Sequence, residues 1–215
     1  MSMSATSLIP MRYFQVAGFV LAGGDSSRMG KDKGRLEVGG LAMVLRAARL
    51  IEPMVSKRAG VTVIAPPNTY GDLLLKSVPD DFPGVGPLAG IVTAVRSSLC
   101  PWSLIVACDM PYLSTDFLVH FLARGVPSTA EIVVAEGSGG PEPLCGLYHK
   151  RCEAHFATAI ARGVRKITDA FVGREVLLLA ADEVQPFDPD GLLMKSVNTP
   201  EDLAEAQAKL GGPSE

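Results

Sequence analysis

The chain reads as an α/β protein with three layers: a mostly parallel, twisted sheet with helices on both faces. Three observations predict this. Short apolar runs alternate with longer amphipathic ones along the chain. The run 102–108 is apolar at nearly every position, as a strand covered on both faces must be. Strands alternating in this way with helices build right-handed βαβ units, and hence parallel pairing.

Taken in order, residues 15–21 read as a buried strand, and 41–55 as a helix with apolar residues at 41, 44, 45, 48 and 51. A second strand over 61–65 is stopped by Pro66 and Pro67. Residues 87–99 read as a helix with Pro87 at a first-turn position, followed by the strand 102–108. Ser114 can cap a helix running to 124, and strands follow at 131–135 and 144–148. The segment 136–143, with three Gly and two Pro, is expected to be a loop. A helix over 151–162, a strand over 176–180 and a final helix opening at Thr199-Pro200-Glu201-Asp202 complete the series. Residues 1–12, rich in Ser and Met, are expected to form a disordered tail, with 13–212 as one domain.

A hydrophobic content of 47% over 215 residues supports a sizeable core. The net charge of −3 argues against a broad nucleic-acid-binding face, so an anionic ligand needs locally placed cations. Cys100, Cys108, Cys145 and Cys152 form no CxxC pair, and reduced thiols in a cytoplasmic protein are expected. His120, His149 and His155 share no metal-ligand spacing, which makes them ordinary surface or core residues. Residues 14–24 are apolar enough to mimic a signal-peptide core. Only Arg12 precedes them, however, and a charged loop follows. No apolar run reaches the roughly 18 residues of a membrane span, so no membrane is expected as a partner.

The most informative segment is Leu21-Ala22-Gly23-Gly24-Asp25-Ser26-Ser27-Arg28-Met29-Gly30-Lys31-Asp32-Lys33, directly after the first strand. Ligands of open parallel sheets bind at the carboxyl ends of strands, and a glycine-rich turn there lets backbone N–H groups approach an anion. Residues 23–35 carry four cations against two carboxylates in a chain that is acidic overall. The spacing is not that of a Walker A loop: five residues separate Gly24 from Gly30, and Asp32 follows Lys31 where a hydroxyl is required. Nor is it GxGxxG. Asp109 ends the apolar strand and precedes Pro111. A carboxylate there faces the same crevice and suits Mg²⁺, which takes one or two carboxylates plus phosphate oxygens and water.

LAGGxSxRMGxDK, as it stands at 21–33, resembles the molybdenum cofactor guanylyltransferase family. The resemblance continues through Gly86-Pro87-Leu88-Ala89-Gly90, Cys108-Asp109-Met110-Pro111 and Asn198-Thr199-Pro200-Glu201-Asp202, covering roughly 16–210 in the family's order. It implies a Rossmann-like nucleotidyltransferase fold and transfer of GMP from GTP to molybdopterin or its molybdenum-loaded form. Pyrophosphate would leave and Mg²⁺ would assist. By the same resemblance Leu21, Ala22, Gly23 and Gly24 cradle the nucleotide, Arg28 and Lys33 act on its phosphates, and Asp109 holds the metal. The family's nucleotide-contacting aspartate falls on Asp80, with Asp81 open as the alternative. The family's Asn-x-Asn-Thr-Pro is met by Asn198 but has Ser196 at its first position. It also implies a molybdoenzyme or maturation chaperone downstream; the 136–143 segment, as the clearest loop, is expected to border the acceptor site. Two alternatives stay open. One is a CTP-using molybdopterin cytidylyltransferase or related nucleotidyltransferase, although the cytidylyltransferases more often read LAAG where this chain has Gly23. The other is a GTP-binding accessory module without catalysis.

Overall fold

The computed structural model describes residues 13–23 and 32–211. The expected tail, together with Gly24 and Arg28, lies outside the described residues.

In chain order the elements are β1 (Val16–Leu21), β2 (Glu37–Val38), β3 (Leu41–Ala42), α1 (Met43–Ile51), β4 (Val61–Ile64), β5 (Lys76–Val78), α2 (Pro87–Ser97) and β6 (Trp102–Ala107). They continue with α3 (Thr115–Gly125), β7 (Ile132–Gly137), β8 (Gly140–His149), α4 (Glu153–Ala161), β9 (Val176–Leu179), α5 (Ala181–Val184) and α6 (Pro200–Leu210). Seven strands form one sheet in the order β5-β4-β1-β6-β8-β7-β9. β1, β4, β5 and β6 run parallel, as do β7 and β9. β8 runs antiparallel to both β6 and β7, so the sheet is mostly parallel with one reversed strand.

Side-chain alternation sends the two faces of each strand into separate cores. Val16 and Val20 of β1, with Leu104 and Val106 of β6, pack against Val44 and Ile51 of α1 and Phe117 and Phe121 of α3. Ala17, Phe19 and Leu21 face the other way, with Ile105, onto Leu88, Ile91 and Val92 of α2 and Phe156 of α4. Every residue of β1 and β6 is buried, which is why both lack the polar alternation of a half-exposed strand.

Local signals place the ends of the helices. Ser114 accepts a hydrogen bond from the Phe117 amide and starts α3. Thr199 and Asp202 form a reciprocal capping box at the start of α6. Pro87 opens α2 directly after Gly86, whose φ of +102° is closed to residues with a Cβ.

The boundaries differ from expectation in two places. The helix expected over 41–55 ends at Ile51, where Glu52–Met54 tightens into a 3-10 turn, and begins only at Met43, because Leu41–Ala42 pair with Glu37–Val38 across a Gly39-Gly40 turn with φ of +61° and +73°. That is the backbone a two-residue hairpin demands. The expected loop 136–143 is instead the end of β7 and the start of β8, turning near Gly140. Its Pro and Gly residues are accommodated by a register shift between Val134 and Ala135, where the hairpin bulges. β5 and α5 carry no periodic signal of their own and are held by their neighbours.

Candidate functional site

Parallel register sets the site. Leu21 pairs with Ala107 and with Ile64, so β1, β6 and β4 end side by side. The Cys108 amide donates to the Leu21 carbonyl at 3.0 Å, and the Ala22 amide to that of Ile64 at 3.3 Å. The chain therefore leaves β1 through Gly23 next to where it leaves β6 through Asp109. Leu21, Ala22, Gly23, Asp32, Lys33, Pro87, Cys108, Asp109 and Leu144 line one crevice of about 230 Å³. A wider cavity of about 520 Å³, sharing Leu21, Gly23 and Pro87, extends past Pro66 and Pro67 to Asp80, Gly84 and Gly90. α2 comes this close because Gly90 has no side chain: a Cβ there would stand 3.2 Å from Leu21 Cδ2.

At the inner end, Lys33 Nζ donates to Asn198 Oδ1 at 2.9 Å and stands 3.8 Å from Asp109 Oδ2. Lys33 belongs to a 3-10 turn, Lys33–Arg35, capped by Asp32, whose Oδ1 accepts from the Gly34 amide. Asn198 is held in turn, its amide donating to Asp202 Oδ2 at 3.0 Å. The Asp109 carbonyl accepts from the Val197 amide at 2.8 Å, joining the end of β6 to the segment before α6. Among the described residues, nothing donates a hydrogen bond to the buried Asp109 Oδ1. Burial raises this carboxyl above the ordinary aspartate range, while Lys33 pulls the other way.

At the outer end, Asp80 Oδ1 accepts from the Phe82 amide at 2.9 Å and from Thr93 Oγ1 at 3.0 Å. Asp81 is turned away, its carboxylate paired with Arg96 at 2.8 Å. Of the two adjacent aspartates it is thus Asp80 that lines the cavity. Leu21, Ala22, Gly23, Lys33, Asp80 and Asp109 are brought around one continuous crevice; Gly24 and Arg28 lie outside the described residues.

A model of the MobA-like NTP transferase domain matches residues 18–182. The chain belongs to the MobA-like NTP transferase family. Members named molybdenum cofactor guanylyltransferase are similar over most of their length. The protein of Shewanella halifaxensis is 32% identical over 189 residues, 87% of this chain and 91% of that one. The Rhizobium meliloti protein is 33% identical over 205 residues, 89% and 90% of the two chains. Among solved structures, molybdopterin-guanine dinucleotide biosynthesis protein A from Archaeoglobus fulgidus superposes with a TM-score of 0.76 at 23% identity, covering 90% of this chain and 97% of that one. A 2-C-methyl-D-erythritol 4-phosphate cytidylyltransferase from Thermus thermophilus reaches 0.65 at 16% identity, covering 91% and 98%. The MobA-like architecture is thus shared with a cytidylyltransferase, and fold alone does not select the base.

Sequence reasoning passed over three contributors to the crevice. Asp32 was visible in the motif but not as a wall of the site. Thr93 lies inside a helix, where a lone hydroxyl carries no signal until its distance to Asp80 is known. Leu144 sits at the bulge of β8, and its amide donates to Glu142 Oε1 at 2.8 Å. The four cysteines are free and buried. Among the described residues no helix is long and apolar enough to cross a membrane.

Proposed function

We propose that this chain transfers GMP from GTP onto molybdopterin or its molybdenum-loaded form. An oxygen of the acceptor's terminal phosphate attacks the α-phosphorus, the bond from that phosphorus to the bridging oxygen of the β-phosphate breaks, and pyrophosphate leaves. Membership of the MobA-like family and similarity to relatives named molybdenum cofactor guanylyltransferase support the reaction class. The observation that carries the reading for these residues is the buried Asp109 Oδ1, without a donor among the described residues, beside Lys33 at the strand ends next to Gly23.

A buried carboxylate oxygen without a donor costs free energy unless a ligand completes it. Asp109 fits one ligand position of Mg²⁺, whose remaining positions phosphate oxygens and water would fill. Bound there, Mg²⁺ would neutralise phosphate charge as the in-line displacement proceeds. Leu21, Ala22 and Gly23 would cradle the nucleotide through backbone groups, with Gly24 and Arg28 continuing that cradle by resemblance. Lys33 would place a compact positive charge against the phosphates, where negative charge grows in the transition state. Asp80 would hold the nucleoside end, its Oδ1 already anchored by Phe82 and Thr93. A molybdoenzyme or maturation chaperone would receive the product, in the cytoplasm.

The test is pyrophosphate release with Mg²⁺ and molybdopterin, comparing GTP, CTP and ATP. Release with GTP well above the other two is expected. Equal rates with CTP would remove the guanine assignment, and GTP binding without any release would leave only an accessory module.

A further inference from the structure

The turn that carries Lys33 is not free-standing. Tyr70, 1% exposed, donates its hydroxyl to Asp32 Oδ1 at 2.9 Å, the same oxygen that accepts from the Gly34 amide. Burial and the neighbouring Asp32 carboxylate push the phenol's pKa up, so it stays protonated and remains a donor. Position 34 must be glycine for this geometry, because a Cβ there would collide with the Tyr70 hydroxyl. Next along the turn, the Arg35 guanidinium lies 5.5 Å from the centre of the Tyr70 ring and grips both oxygens of Asp72 at 2.9 Å. The loop holding Tyr70 and Asp72 starts at Pro66 and Pro67, which wall the outer cavity, and Thr69 Oγ1 donates back to the Pro66 carbonyl at 2.7 Å. Three contacts (hydroxyl to carboxylate, ring to guanidinium, guanidinium to carboxylate) therefore join the wall of the outer cavity to the lysine of the inner one.

We propose that Tyr70 is a positioning residue for the transfer: by holding Asp32 it sets the turn that presents Lys33, and it ties that turn to the 66–72 loop on the nucleoside side. This rests on the proposed role of Lys33. Tyr70 touches no substrate in this scheme. Its hydroxyl fixes where the Lys33 charge stands when the triphosphate is in place, and a small misplacement of such a group costs rate more than binding.

The test uses Tyr70→Phe, which keeps the ring in its buried space and deletes only the hydroxyl, in the full-length protein with single-turnover and steady-state pyrophosphate release. The expected result is a kcat lowered roughly tenfold with the KM for GTP within about twofold. In a Lys33→Ala background the same change should cost nothing further, because the positioned group is gone. A merely structural role would lower activity by the same factor in both backgrounds, and that outcome overturns the proposal. So does a wild-type kcat in Tyr70→Phe while Lys33→Ala is impaired, which leaves the Lys33 assignment standing. A fully active Lys33→Ala would instead sink the Lys33 assignment and this inference with it. If Tyr70→Phe fails to fold, Asp32→Asn weakens the same bond while keeping an oxygen for the Gly34 amide, and the same comparison with Lys33→Ala decides.

Discussion

Asp80 and Asp109, at the two ends of the crevice, are held in opposite ways. Asp80, at the outer end, has its Oδ1 saturated by an amide and a threonine hydroxyl. Asp109, at the inner end, keeps Oδ1 buried without a donor among the described residues and has a lysine 3.8 Å from Oδ2. The outer end is complete before any ligand arrives, so its ligand meets a formed surface. The inner end offers a buried oxygen to which no described residue donates, a position that a ligand can complete. Such a division suits an enzyme that holds one part of its substrate on a formed surface and keeps its unsatisfied charge where bonds change.

The largest expected effect strikes the inner end. Asp109→Asn should lower pyrophosphate release roughly a thousandfold at saturating Mg²⁺, measured with GTP and molybdopterin. A rate within a few-fold of wild type would erase the contrast between the ends. Lys33→Ala should cost roughly a hundredfold, in kcat more than in KM, as a group acting on developing charge requires. At the outer end Thr93→Val removes one donor to Asp80, and its penalty should fall on GTP binding: a rise in KM of roughly fivefold, equivalent to about 1 kcal/mol, with kcat nearly unchanged. A kcat defect there would mean that the outer end is not passive.

Stability should move in the reverse sense. Burial raises the folded-state pKa of Asp109, so between its ordinary value and the raised one the folded chain binds more protons than the unfolded chain. Stability from this group therefore falls as pH rises through that window, and above it the ionised carboxylate destabilises the apoprotein. Asp109→Asn should raise the apoprotein's unfolding midpoint at pH 7 by roughly 2–4 °C, and the gain should vanish below the ordinary carboxylate range. A lower midpoint at pH 7 would show that Asp109 is structural. As a reference outside the contrast, Thr199→Ala breaks the capping box of α6 and should lower the midpoint by roughly 2–4 °C. Because the Asn198 amide shares Asp202 with that cap, any activity loss in this variant reports on the support of Lys33.

The legible parts were those whose signal is local. Near-continuous apolarity announced β6, and Ser114 and Thr199 announced helix starts. The helix over 41–55 was overextended because Leu41 fits a helical apolar stripe as well as it fits the hairpin it joins. The 136–143 hairpin was misread because Gly and Pro ordinarily interrupt strands, and only pairing with β7 shows that a bulge absorbs them.

From the sequence alone came the layered parallel architecture and the nomination of Lys33 and Asp109, since strand periodicity, capping chemistry and motif spacing are properties of neighbouring residues. Tertiary structure alone decided which aspartate of the 80–81 pair lines the cavity, that Asn198 reaches Lys33 across 165 positions, and that Tyr70 stands behind Asp32. Those facts depend on distances between segments remote in the chain. Such distances exist only once the strands have paired and the helices have closed over both faces of the sheet.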